Sequence, residues 1–261
     1  FFYSVKKVCF INFLSNSRII FKTMKNSKNI IYIGYTSGQE IIYDVAKFSI
    51  MKFTKDVECI PIVQSQLREK GFYYREKDKQ GTTEFSITRF LVPFLAKYKG
   101  WVLYCDNDVL ALDDINNLFN LKNDKYAVMC VKHDYKPSNS KKLDNKDQTI
   151  YPRKNWSSVV LWNCSHPKNK FITPKLVNEV SPTFLHRFMW LDDDEIGSFG
   201  NEWNWLVGWY KEPKDGKPKL LHFTEGGPYF KNYSDTEYSN FWKENFKDLN
   251  NRDFSEEDFI Y

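Results

Sequence analysis

An α/β fold with a mostly parallel central sheet is the expectation that three features of this chain set. Short apolar runs rich in β-branched residues recur along it, helical periodicities lie between them, and Gly, Ser, Asn and Asp gather at the junctions. Residues 30–35, "IIYIGY", read as a first strand running into the turn cluster Gly34-Tyr-Thr-Ser-Gly38. Ile41, Ile42, Val45, Phe48 and Met51 then follow at helical spacing, and "VECIPIV" (57–63) reads as a second strand. Strand, Gly-containing turn, helix and strand together open a βαβ unit.

The pattern continues. "TTEFSITRFLVPFLAKY" (82–98) is helical, with Pro93 expected to kink it or to start a new turn. Residues 101–105, "WVLYC", are apolar without alternation, which suits a parallel strand covered on both faces. "YAVMCV" (126–131) and "SSVVLWN" (157–163) read as strands of the same kind. Between them "KPSNSKKLDNKDQT" (136–149) is polar and long enough to form a mobile flap. A turn-rich stretch (211–219) leads to a last strand, "KLLHF" (219–223), and a final helix is expected around 239–248. No interior linker and no internal repeat interrupts this order. Residues 24–261 are therefore expected to form one domain, with residues 1–23 a basic peripheral extension.

Composition narrows the function. The 261 residues suffice to bury a core without disulfides or structural metals. The net charge of +5 comes from the first thirty residues, where Lys6, Lys7, Arg18, Lys22, Lys25 and Lys28 meet no acidic residue; the rest is close to neutral. That distribution argues against a nucleic-acid binder and leaves the N-terminal stretch as the one candidate contact with an anionic membrane surface. The chain has no run of 18 or more apolar residues, so no spanning helix is expected. Five scattered cysteines, with no Cys-x-x-Cys, fit free thiols in a reducing compartment and a cytoplasmic location.

The residues that carry chemistry stand at strand ends. Asp106 and Asp108 follow the strand 101–105, and in an open α/β sheet ligands bind beyond the carboxyl ends of the strands. Two oxygen donors at i and i+2 leave room for water and diphosphate oxygens around Mg²⁺ or Mn²⁺. The same spacing also fits an ordinary Asx turn. A calcium loop does not fit, because the sixth-position Gly and twelfth-position Glu are missing. His222 ends an apolar strand, where a histidine is either a ligand or a hydrogen-bonded part of the structure. Gly226 and Gly227 either let backbone amides approach an anion or simply make a turn. Arg89 can present its guanidinium to a phosphate or carboxylate, or lie solvated on a helix face. Of the carboxylates in Asp192-Asp-Asp-Glu195, at least one must be exposed, paired or bonded to a ligand, because adjacent charges repel when buried. Asp113 and Asp114 read as a cap for the segment from Ile115.

Read in order, "YIGY", the helix ending in Ser49-Ile50, "GTTEFSITRFLVPFL", "GWVLYCDNDVL", "NWSSVVLWN", "WLDDDEIG" with "EWN", and "LHFTEGGPYF" resemble bacterial and viral glycosyltransferases akin to family 8, the glycogenin and lipopolysaccharide galactosyltransferase type. The resemblance spans roughly residues 30–235. It implies a GT-A fold, a nucleotide-sugar donor, a divalent cation (Mn²⁺ or Mg²⁺) and transfer with retention to a glycan, lipid-linked or protein acceptor. By position it implies that Asp106, Asp108 and His222 hold the metal, and that Gly34, Tyr35 and Thr36 line the base and ribose pocket. Arg89, Gly226 and Gly227 are placed against the donor, while Asn155, Ser157, Asp192 and Asp193 are placed around the transferred sugar, with Asp192, Asp193 and Asn155 as the catalytic set. Three positions depart from the family pattern. Thr36 stands where relatives often carry Asp, Asp193 replaces a frequent Gln, and Glu225-Gly-Gly-Pro-Tyr-Phe230 follows the His where Gly and then Lys-Pro-Trp is common.

Two other readings share the architecture. A sugar-1-phosphate nucleotidyltransferase needs a Gly-rich basic loop for a triphosphate, and Gly34–Gly38 has no basic residue. A non-catalytic nucleotide- or carbohydrate-binding protein has no need to keep both Asp residues and His222.

Overall fold

In the computed structural model, residues 28–76, 83–134, 152–211 and 217–260 are described. The basic stretch 1–23, the polar loop 136–149 and part of the turn-rich segment near 215 lie outside the described residues.

The first strand, β1 (Asn29–Gly34), pairs in parallel with β2 (Val57–Ile62) on one side and β3 (Trp101–Cys105) on the other. The chain reaches β2 through the helix Glu40–Phe53, as its apolar spacing predicts. A short strand β4 (Val109–Ala111) follows β3, and β5 (Val128–Cys130), β6 (Val159–Asn163) and β7 (Ile196–Ser198) complete a six-stranded sheet in the order β2-β1-β3-β6-β5-β7. Three of its five pairings are parallel, but β6 runs antiparallel to both β3 and β5. The sequence reading of 157–163 as a parallel strand like its neighbours is thus corrected. All five β6 residues are buried, so the unbroken apolar run reports cover on both faces and says nothing about direction.

A second sheet, β4-β9-β8, joins β4 to β8 (Trp205–Leu206) and β9 (Leu220–His222). The helix Glu40–Phe53 lies between the two sheets and is apolar on two sides. Tyr43, Ala46 and Ile50 pack with Ile31, Ile33 and Leu103 of the large sheet. Ile42 and Val45 pack with Leu110, Trp205 and Leu221 of the small one, together with Trp242 and Phe246 of the last helix, Ser239–Asn250. Inside this helix Ser49 is fully buried; its hydroxyl donates to Ala46 O at 2.7 Å and accepts from Ala111 N at 3.0 Å, tying the helix to β4.

The helical segment before β3 breaks into Phe85–Thr88, a 3₁₀ turn Arg89–Leu91, and Val92–Leu95, with Pro93 in the first turn of the last piece. Asp114 caps the following segment as expected, its Oδ1 accepting from Asn116 N at 2.9 Å. Among the described residues, no helix is long and apolar enough to cross a membrane.

Candidate active site

The register of the large sheet decides which residues can meet. Ile33 aligns with Cys105, Cys105 with Val159, and Cys130 with Val160. The residues after β1, β3 and β5, and those before the reversed strand β6, therefore share one edge. Thr36, Asp106, His133 and the segment 155–158 fall there. A backbone bond from Asp106 N to Ser158 O at 2.9 Å closes β3 onto β6 at this edge. The small sheet adds His222, which pairs with Val109, two residues after Asn107.

Here Asp106, Asp108 and His222 come together, each offering one ligand atom, all within 4.8 Å of one another. Asp106 is buried, and burial pushes its carboxyl up to about 6 against the opposing pull of Arg89. Arg89 Nη1 stands 3.0 Å from Asp106 Oδ1 and also donates to Ser157 O at 3.0 Å. The Tyr104 hydroxyl donates to the same Oδ1 at 2.7 Å. Tyr104 and Asp106 are two residues apart and so share a face, a period-two signal in "YCD" that assigned Tyr104 no role when read as sequence.

Asp108 is anchored differently. Its backbone O accepts from Phe223 N at 2.9 Å, and its Oδ1 lies 3.3 Å from His222 Nε2, close enough for charge attraction but without hydrogen-bond alignment. Burial raises the Asp108 carboxyl, but His222 outweighs it and the net shift is downward. Burial likewise lowers His222, and Asp108, together with Asp106, more than reverses this.

The other imidazole nitrogen fixes the tautomer. His222 Nδ1 is 2.9 Å from Asn204 Oδ1, while Asn204 Nδ2 donates to Ser158 Oγ at 3.0 Å and that hydroxyl donates to Asn155 O at 2.7 Å. An amide oxygen can only accept, so Nδ1 carries the hydrogen and Nε2 is turned toward Asp108. Asn204 is fully buried. It lies within the "EWN" motif, yet the sequence showed no sign of its role.

The donor set suits a hard or borderline divalent cation: two carboxylates and an imidazole, with Asp108 Oδ1 buried and without a hydrogen-bond partner among the described residues. Asp106, Asp108 and His222 are the residues that would hold Mn²⁺ or Mg²⁺.

The remaining sequence-derived site residues divide. Thr36 reaches the same edge, and its Oγ1 is buried without a partner among the described residues. Tyr35 packs edge-on against Tyr43 with ring centroids 5.6 Å apart and bonds Glu40 at 3.1 Å. Gly34 has a steric reason to be glycine, because a Cβ there would sit 2.6 Å from the Phe85 ring. Gly34→Ala is expected to cost about 1–3 kcal/mol in urea unfolding through overpacking; an unchanged midpoint would show that Phe85 can move aside. Asn155, in left-handed conformation at φ 63°, and Ser157, bonded to His186 Nδ1 at 3.0 Å, both reach the edge.

Arg89 needs a narrower description than donor contact. It is buried, and what it demonstrably grips is Asp106 and the Ser157 carbonyl. Gly226 and Gly227 are also otherwise engaged: Gly226 N is spent on Phe223 O at 2.9 Å, and added Cβ atoms would strike Tyr233 and Tyr229. Their turn reading fits, and the anion-cradle reading does not fit Gly226.

Asp192 and Asp193 do not join the cluster of Asp106, Asp108 and His222. They precede β7, whose Ile196 aligns with Val128, at the start of strands that run in the same sense as β3. The backbone thus enters β7 from the edge opposite Asp106, although Asp193 is tied to Arg153, two residues before Asn155. Both are exposed, Asp192 bound to Lys168 at 2.8 Å and Asp193 to Arg153. Mutual repulsion keeps the acidic run at the surface, where cations pair with it.

The architecture is that of GT-A glycosyltransferases. Solved structures with this fold include the glycosyltransferase GlyE of Streptococcus pneumoniae TIGR4 (TM-score 0.57, 15% identity, 84% of this chain and 60% of that one). The galactosyltransferase LgtC, solved with donor and acceptor sugar analogs, gives a TM-score of 0.55 at 12% identity over 87% of this chain and 98% of that one. The bifunctional WbbM gives 0.56 at 14% identity, over 90% of this chain and 53% of that one. The chain thus spans little more than half the length of GlyE and WbbM. In sequence it is 46% identical over 233 residues to Protein CDI of Arabidopsis thaliana, covering 87% of this chain and 90% of that protein, and it belongs to the same family. No family model matches the chain.

Proposed function

We propose that this chain is a metal-dependent glycosyltransferase that moves a sugar from a nucleoside-diphosphate donor, UDP by preference, to a hydroxyl acceptor with retention at the anomeric carbon. The observation that carries this reading is the convergence of Asp106, Asp108 and His222 within 4.8 Å, beyond the strand ends of a GT-A sheet. A divalent cation there supplies charge stabilisation for the departing diphosphate. The protein's own part is to hold the ligands in place before substrate arrives: Arg89 and Tyr104 fix Asp106, and Asn204 fixes the His222 tautomer. In the transfer, the bond from the anomeric carbon to the diphosphate oxygen breaks with its electron pair going to the phosphate. The acceptor hydroxyl oxygen bonds that carbon from the same face, and its proton goes to the leaving phosphate. Asp192 and Asp193 are exposed and paired with Lys168 and Arg153, which supports a route without a covalent nucleophile from that pair.

A thermal-shift panel of nucleotides and nucleotide sugars, with and without Mn²⁺, tests the reading. A ligand that binds only the native state raises its midpoint, by about 2.7 kcal/mol of stability at a hundredfold excess over Kd. Stabilisation by UDP or a UDP-sugar only when Mn²⁺ is present is expected, and none with any nucleotide would sink the proposal. Mass spectrometry with a slow donor checks the front-face route, which a trapped glycosyl-enzyme adduct would overturn.

A further inference from the structure

Resting on the function proposed above, we propose that His133 recognises a hydroxyl of the transferred sugar and sets which donor the site accepts. His133 lies three residues beyond the end of β5, on the same edge as Asp106. Two contacts place it between the elements that build the candidate site. Trp156 Nε1 donates to His133 O at 3.0 Å, binding it to the segment that carries Asn155 and Ser157. On the other side His133 Nδ1 is 2.7 Å from the Tyr210 hydroxyl. Tyr210 bonds Leu206 O at 3.2 Å and packs on Trp205 with ring centroids 4.9 Å apart, and Leu206 pairs with His222.

The imidazole is almost completely buried, yet its Nε2 has no hydrogen-bond partner among the described residues. A buried polar atom left unmet is destabilising, and a substitution that fills the space with carbon avoids that cost. Asn155 Nδ2, on the neighbouring segment, is also buried and unmet. Two such atoms beside a candidate metal and diphosphate site suit a neutral ligand with several hydroxyls. An anion is a poor occupant for His133 because its imidazole stays uncharged: burial, with a smaller push from His222, lowers it to about 3. Tyr210 is the positioning residue that holds the ring.

Calorimetric titration in the presence of Mn²⁺ tests this, using UDP, UDP-glucose, UDP-galactose, UDP-N-acetylglucosamine and UDP-xylose on wild type, His133→Ala, His133→Asn and Tyr210→Phe. In wild type one UDP-sugar is expected to bind more tightly than the others. In His133→Ala, UDP affinity should stay the same while that preferred UDP-sugar weakens about tenfold, the worth of one well-made hydrogen bond. His133→Asn, which keeps a polar group, should recover part of the loss, and Tyr210→Phe should fall between. The inference is overturned if wild type binds UDP and all four sugars alike, if the ranking survives in His133→Ala, or if UDP itself weakens equally in a folded variant. Wild type that binds no UDP with Mn²⁺ refutes the transferase reading instead, and this inference with it.

Discussion

Asp108→Asn is expected to weaken Mn²⁺-dependent UDP binding by at least about a hundredfold, because groups that merely support a metal ligand are already worth about 10–100-fold. The fold should survive. Asp108, helped by Asp106, is what raises buried His222, and without Asp108 burial favours the neutral imidazole, so no uncompensated charge is expected inside. Asn204 still holds Nδ1. Calorimetry for nucleotide affinity, with circular dichroism melting as the control for folding, decides the matter. A folded variant that binds UDP and Mn²⁺ as wild type does would remove the metal site.

Arg89→Met should act on stability before it acts on binding. The guanidinium and Asp106 are both buried and 3.0 Å apart, and removing one partner of such a pair costs about 3–5 kcal/mol because the other is left uncompensated. For a domain of this size that is a fall of roughly 10 °C in melting temperature. The pH dependence has a definite sign. Burial already places the folded Asp106 at about 6, above an ordinary unfolded carboxylate, so the folded state takes up its proton first as pH falls. Arg89 holds that carboxyl down, so its loss raises Asp106 further, and the gap between variant and wild type should narrow as pH falls toward about 6. Urea unfolding at pH 7.5 and 5.5 measures this. Full stability with lost nucleotide affinity would return Arg89 to direct contact with the donor.

The sequence shows clearly the parts of this molecule that depend on local periodicity. The helix 40–53, strands β1 to β3, the break at Pro93 and the cap at Asp114 all follow from spacing and side-chain chemistry within a few residues. What periodicity does not encode is strand direction, and so the apolar run of β6 does not reveal that it is antiparallel to β3 and β5. The same gap explains the placement of Asp192 and Asp193 in the candidate site: motif order put them there, but the edge from which the chain enters β7 depends on how β5, β6 and β7 alternate. Asp106, Asp108 and His222 were legible because each sits at the end of an apolar run. Asn204 and His133 were not, since a lone polar residue near a turn looks alike whether it is solvated or buried against a distant strand.

The cluster around Asp106 is also an electrical balance. Two carboxylates, Asp106 and Asp108, face the Arg89 guanidinium and the His222 imidazole, so with His222 protonated the set is neutral without any ion. On the proposed function, a divalent cation bound by His222 Nε2 would displace that proton, and the exchange would leave a net positive charge toward the diphosphate of the donor. Cation and nucleotide capture would then be thermodynamically linked, each raising the affinity of the other by the same factor. Acidification, by returning the proton to His222, is expected to weaken both together.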